Sequence, residues 1–305
     1  MTMPLPDSLC VIERGWLSAN SILGCEGEQA ILIDSGYVSH ATQTVELVRH
    51  ALAGRQLTQL INTHSHSDHI GGNAALLSAF GCEIRVPAGM HATIAEWDEN
   101  ALLLSPLGQQ GARFQHHGLL HAGDEFSMGG LNWQALAVPG HDMDALAYYN
   151  PEQRILISGD ALWENGFGVI FPELLGEADG IAHTRSTLAM LSKLPVDIVI
   201  PGHGSPFTAV DAAFERAFQR LDYFANALDK LAWHAIKVIV SFGMLERRSL
   251  RAQDFPDFVL GLPFAIDVNA RYLNLAPDEL VSRLERELLQ LNALRREDSR
   301  LVAGP

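Results

Sequence analysis

Within the run Thr63-His64-Ser65-His66-Ser67-Asp68-His69, three histidines and one aspartate fall inside six residues. In an extended segment His64 and His66 share a side. The chain then turns into a helix, which lets Asp68 and His69 face a second point. One short loop can thus offer ligands to two neighbouring cations. Imidazole with carboxylate suits Zn²⁺ first, with Fe or Mn as alternatives. Gly71-Gly72 permits a tight turn and close backbone approach. Three further ligand-type residues follow: His141 in Pro139-Gly140-His141, Asp160 after Gly159, and His203 in Pro201-Gly202-His203-Gly204. Ser65 and Ser67 lack an uncommitted base and read as loop residues and local caps, not as nucleophiles.

Short strands must deliver these residues. Ser21–Cys25 and Ala30–Asp34 are apolar runs split by Glu26-Gly27-Glu28, which predicts a hairpin. Val45, Val48 and Leu52 predict a helix over 42–52, ended by Gly54. Gln59–Asn62 reads as the strand entering the histidine cluster, followed by a helix to Phe80 and a strand over Glu83–Val86. The second half repeats the theme. Leu131–Val138 leads to His141, a hairpin of Ala145–Tyr149 and Arg154–Ser158 leads to Asp160, a helix covers Ile181–Leu194, and Asp197–Ile200 leads to His203. Strand ends on a rigid sheet are where chemistry is usually placed. The segment after Asp160 is expected to line the mouth. Trp163 and Phe167 would form an apolar wall and Glu164 or Asn165 would orient a polar group; the alternative is that the aromatics pack in the core. Residues 97–121, with His116, His117 and His121, are irregular and read as a lid candidate or as a surface excursion.

The full pattern, His-x-His-x-Asp-His, then His, Asp and His at successive strand ends, resembles the metallo-β-lactamase superfamily over about residues 9–207. The resemblance implies an α+β fold, a four-layer αββα sandwich with the site at one edge between the sheets. It implies two divalent ions: His64, His66 and His141 on one, Asp68, His69 and His203 on the other, and Asp160 bridging. It further implies a hydrolase in which a metal-bridged hydroxide attacks a small ester, thioester or lactone, with Asp68 shuttling a proton. The alternatives are a phosphodiesterase or endoribonuclease of the same fold, and a metal-containing effector acting through partners. Among branches, the resemblance is glyoxalase II-like or β-lactamase-like. Pro-Gly-His-Gly departs from the Gly-His-Glu-type ending of glyoxalase II. It looks more like the mitochondrial β-lactamase-like endoribonuclease branch and the bacterial quinolone-signal response thioesterase. Asp142, Met143, Asp144 and Ala145 depart from that branch in turn.

The chain has 305 residues, 48% hydrophobic and 19% charged, enough for one large domain with an appendage. The expected division is a catalytic domain over 1–210 and a helical, winged-helix-like module over 211–305. Leu228–Phe242 and Pro277–Leu291 read as helices, the second with Leu280, Leu284, Leu288 and Leu291 on one face. Ala293–Arg296 and Arg300–Val302 read as a hairpin around Asp298-Ser299. Residues 1–210 carry 8 Lys and Arg against 22 Asp and Glu, and residues 211–305 carry 13 against 14. Neither balance suits a phosphate backbone, so nucleic acid is disfavoured and a small-molecule substrate is expected. The near-neutral second part suits a structural or homodimer-forming cap. The first residues hold no basic n-region and no apolar h-region, and no long apolar stretch follows. A cytoplasmic protein without membrane contact is therefore expected, which disfavours antibiotic hydrolysis. Cys10, Cys25 and Cys82 are too few and too scattered for a disulfide framework or a cysteine-based zinc site.

Overall fold

The structure is a computed structural model and describes residues 5–176 and 179–304. Met1–Pro4, the head of the expected leaderless N-terminus, lie outside them. The chain forms two compact units. One holds residues 1–102 and 110–222, the other 103–109 and 223–305. The boundary expected at 210 falls instead at the start of a helix, Val210–Ala225, and the units part after Asp222.

The first unit is built on two mixed sheets. Sheet one has the order β1 (Leu9–Ile12), β2 (Ser21–Glu26), β3 (Gln29–Ile33), β4 (Gln56–Ile61), β5 (Glu83–Pro87) and β6 (Gly118–Leu120). β1, β2 and β3 pair antiparallel, and β3 to β6 pair parallel. Sheet two contains β7 (Glu125–Met128), β8 (Leu131–Ala137), β9 (Leu146–Asn150), β10 (Ile155–Gly159) and β11 (Ile198–Pro201). Its order is β11-β10-β9-β8-β7, antiparallel except for β10 with β11.

Alternation along the strands sets the layers. Ile22, Ile33 and Ile61 of sheet one meet Trp133, Tyr148, Ile155, Ile157 and Ile200 of sheet two in one buried core. Leu23, Leu32 and Leu60, one residue out of step, are equally buried on the outer face. That face is covered by α1 (Ala41–Leu52), through Val45, Val48 and Leu52, and by α3 (Asn73–Phe80), through Leu76. The four-residue α2 (Ser67–Ile70) lies between them in sequence. α4 (Gly180–Leu191) buries Leu188 and Leu191, and its Thr187 hydroxyl bonds the carbonyl of Pro139 just past β8. This is the αββα arrangement of an α+β protein.

The second unit contains α6 (Leu228–Arg247) and α7 (Pro277–Gln290), α5 being Val210–Ala225. Glu287 joins α7 to α6 by accepting from Trp233 Nε1 and Lys237, and Arg283 of its own helix donates to it as well. Leu280, Leu284 and Leu288 are buried as expected, but α7 ends at Gln290 and Leu291 is 62% exposed. The expected hairpin, β13 (Leu294–Glu297) with β14 (Arg300–Ala303), gains a third strand, β12 (Ser249–Arg251), on the β14 edge. The irregular stretch 97–121 is anchored by the buried Leu102, Leu104, Leu107 and Phe114.

The direction of the strands decides where the ligand-type residues go. β3 and β4 are parallel, and so are β10 and β11, so their C-terminal ends lie along one edge. The two sheets meet there, where Leu146 N at the start of β9 bonds Thr63 O. Close contact of the ligand loop with the turn after β3 requires Gly71: a β-carbon there would run into Val38 N, Ser67 O and Tyr37 C. All three are backbone atoms that cannot swing aside. Gly71→Ala should therefore destabilise the protein by about 1–3 kcal/mol, the usual cost of overpacking, despite the better helix propensity of alanine. Urea unfolding measures it; a neutral or stabilised variant would contradict this reading.

Candidate metal centre

All seven residues with the expected ligand pattern converge at that edge. His64, His66, Asp68 and His69 come from the loop after β4 and from α2, His141 from the turn after β8, Asp160 from the end of β10 and His203 from the end of β11. Donor atoms of His64, His66 and His141 lie within 4.8 Å of one another, as do those of His64, His69 and Asp160, and those of Asp68, His69 and His203. Glycines make room for this approach. A β-carbon on Gly202 would collide with Asp160 Oδ1, and one on Gly168 would meet the His141 ring at 2.5–2.8 Å.

The outer hydrogen bonds aim the rings. His69 Nδ1 donates to Asp34 Oδ2 at 2.7 Å, and His141 Nδ1 donates to Val169 O at 2.5 Å. His64 Nδ1 bonds the Thr63 hydroxyl at 3.0 Å. With Nδ1 spent, Nε2 of His64 and Nε2 of His69 are buried and have no hydrogen-bond partner among the described residues. His66 Nδ1 and His141 Nε2 face each other at 2.8 Å. Asp160 Oδ1 lies 3.5 Å from His69 Nε2, while its Oδ2 lies 3.4 Å from His141 Nε2. His203 Nε2 donates to Asp68 Oδ2 at 2.9 Å. Buried imidazole nitrogens without partners are costly unless something fills the gap between them. A mixed imidazole and carboxylate set of this shape fits divalent cations.

The protonation states agree. Burial drives the His64 imidazole well below its ordinary pKa, reinforced by His69 and His66. Burial and the neighbouring His141 bring His66 to about 3, and burial also lowers His141. These rings are neutral, the state a metal ligand needs. His69 differs: burial pulls it down, but Asp34, Asp160 and Asp68 together hold it well above the ordinary value. Burial opposes ionisation of Asp160, yet His69 and His203 keep it well below the usual carboxylate range. Asp142, its side chain 15% exposed and 3.9 Å from His66 Nε2, is pushed up by burial to about 7.

Of the residues expected at the mouth, the structure brings Trp163 to the site. Its Nε1 donates to Asp160 Oδ1 at 3.2 Å and its ring packs edge-on to His203. Phe167 is 3% exposed and lies under the Arg220 guanidinium, so it packs in the interior instead of forming a wall. Glu164 and Asn165 are exposed, and what the structure ties down is their carbonyls, which accept from Arg216 and Arg220. The chain doubles back between Trp163 and Gly166, which is why the loop does not present all four side chains to one side. Sequence reasoning missed Asp34, placed only at the end of the Ala30–Asp34 run. Its φ of 57°, unusual outside glycine, marks it in the structure. Phe171, against the rings of His66 and His141, and Trp16, stacked on His203, were also missed.

The sandwich and its edge site define a metal-dependent hydrolase class. Residues 14–203 match the model of the metallo-β-lactamase superfamily, and the chain belongs to that superfamily. A hydroxyacylglutathione hydrolase of Polaromonas sp. is 30% identical over 202 residues, 63% of this chain and 66% of the relative. One from Rhodopseudomonas palustris (strain ATCC BAA-98 / CGA009) is 31% identical over 118 residues, 39% of each chain. The chain thus spans between about two fifths and two thirds of the length of these relatives. They carry the glyoxalase II name, although the Pro-Gly-His-Gly ending departs from that branch. A metallo-β-lactamase family protein from Thermus thermophilus shares the fold, with a TM-score of 0.60 at 16% identity over 98% of this chain and 100% of its own.

Two substitutions probe the centre. Asp34→Asn removes the charge that orients and polarises His69, so metal affinity should fall roughly 10–100-fold with the fold retained. Competition with a chromophoric chelator reads this; unchanged affinity would deny Asp34 its role. For Asp142, the unfolded carboxyl loses its proton near pH 4, whereas the folded one keeps it to about 7. Between these values the folded state binds the extra proton, so its stability falls as pH rises and is flat above. Metal-free Asp142→Asn should therefore gain on metal-free wild type across that window, by a few kcal/mol at most, at ~1.4 kcal/mol per pH unit. A difference independent of pH in urea unfolding would sink the argument.

Proposed function

We propose that this protein is a dinuclear metal-dependent hydrolase of small carbonyl substrates, thioesters first, with esters and lactones as the neighbouring classes. The observation that carries the reading is the convergence of five imidazoles and two carboxylates in which Nε2 of His64 and His69 are buried without hydrogen-bond partners among the described residues. His64, His66 and His141 would hold one ion, Asp68, His69 and His203 a second, and Asp160 reaches toward both groups. Zn²⁺ suits the donors best. Bound there, the ions would supply Lewis acidity, polarising a carbonyl and making water easier to deprotonate. The preference for thioesters rests on the relatives named hydroxyacylglutathione hydrolase.

The residues of the chain do the remaining work. Asp68, at the edge of the centre, takes the proton from the attacking water as its oxygen bonds to the carbonyl carbon. When the carbon–sulfur bond breaks, the electron pair leaves on sulfur and Asp68 returns the proton to it. Trp163 fixes the Asp160 carboxylate through Nε1. Phe171, packed on His66 and His141, helps keep water away from those rings.

Metal-loaded protein should release protons from a thioester panel, cease after chelation, and recover with Zn²⁺. His66→Ala should lose at least about 100-fold in kcat/KM, in line with losing a positioned catalytic group. Turnover that survives both chelation and His66→Ala would overturn the proposal, and cleavage confined to phosphodiesters would replace it with the nuclease reading.

A further inference from the structure

The loop joining β1 to β2 ends in four buried residues, Leu17 to Asn20, and is bolted to the ligand loops. Ala19 N bonds the carbonyl of Asp68, and Asn20 N bonds the carbonyl of Gly202. The Asn20 amide donates to the carbonyls of Pro201 and Gly204, on either side of His203. Arg14 braces the loop from the other side through Thr44 and Gln43. On this fixed mount Trp16 is 57% exposed. Its ring lies parallel to His203, centroids 5.3 Å apart and planes 11° apart. Trp163 stands across both rings, at 68° to Trp16 and 77° to His203. One face of the Trp16 indole is thus covered by the His203 ring and the other remains open. A substrate group laid on the open face would bury further apolar area beside His203 and Trp163.

We propose that Trp16 is a specificity-determining residue whose open face, next to Trp163, receives an apolar, preferably aromatic, acyl group of the substrate. The inference rests on the hydrolase reading for its activity test. Indole favours such a group because stacking adds to the area buried. Arg14, two residues before Trp16, is turned to Thr44 and Gln43.

The test compares S-phenylacetyl- with S-acetyl-N-acetylcysteamine, using wild type, Trp16→Ala and Trp16→Phe at matched metal content. The ratio of kcat/KM for phenylacetyl over acetyl should drop about tenfold in Trp16→Ala, mainly through KM, and Trp16→Phe should restore most of it. An unchanged ratio overturns the inference. A second readout needs no turnover: S-(2-phenylethyl)-N-acetylcysteamine, a thioether that cannot be hydrolysed, should quench the tryptophan fluorescence of wild type and not of Trp16→Ala. Quenching with no hydrolysis of either thioester would sustain the role of Trp16 while removing the hydrolase reading. Hydrolysis with identical quenching in both proteins would do the reverse.

Discussion

Asp34 stands just past β3 with its backbone in the left-handed region, and its carboxylate gathers three donors from the loop that follows β4. Thr63 N binds Oδ1 at 2.9 Å, the Thr63 hydroxyl binds Oδ2 at 2.8 Å, and His69 Nδ1 binds Oδ2 at 2.7 Å. An acceptor buried to 1% exposure depends on these bonds, because water cannot replace them. The carboxylate therefore fixes the start of the ligand loop and its last histidine together. Around it, Ser35 takes the carbonyl of His69 and the amide oxygen of Asn73, and Asn62 and Asn73 exchange amide bonds. The ligand loop is thus framed by polar bonds on one side and by the apolar inter-sheet core on the other.

The same crowding explains why the rings are arranged as they are. Four imidazoles, His64, His66, His69 and His141, come within 4.0–5.1 Å of His64 or one another by ring centroid. Charged together they would repel in a medium that screens poorly. The solution is to keep three neutral by burial and to surround the fourth, His69, with carboxylates. The wider acidity of residues 1–210 is consistent with a centre whose positive charge is supplied by cations rather than by lysine or arginine.

Much of this was legible before any coordinate. The converging histidines and aspartates could be picked out because the residue types are rare and sit at the ends of apolar runs, and the runs became strands within one to three residues. Asp34 could not, because its partner His69 lies 35 positions away and Asp34 stands at the end of an apolar run with no ligand-type neighbour beside it. Trp16 follows no periodic pattern, and its neighbour His203 is distant in sequence. Phe167 misled because a loop has no period: the reversal between Trp163 and Gly166 sends it beneath Arg220. β12 escaped notice because three residues, Ser-Leu-Arg, carry no strand signature until β14 offers an edge.

The two halves of the proposed centre are chemically unequal. His64, His66 and His141 are neutral and surrounded by one another, so a cation entering there displaces no proton from them. His69, by contrast, keeps a proton because Asp34, Asp160 and Asp68 press on it. A cation reaching His69 Nε2 must expel that proton, and in doing so replaces one positive charge among the carboxylates with two. The proton on His69 thus holds the acidic half together when no cation is bound, while the Asp34 bond keeps Nδ1 occupied so that Nε2 is the nitrogen given up. Asp34 does more than aim the ring: by keeping Nδ1 occupied it leaves Nε2 as the nitrogen that faces Asp160 and Asp68.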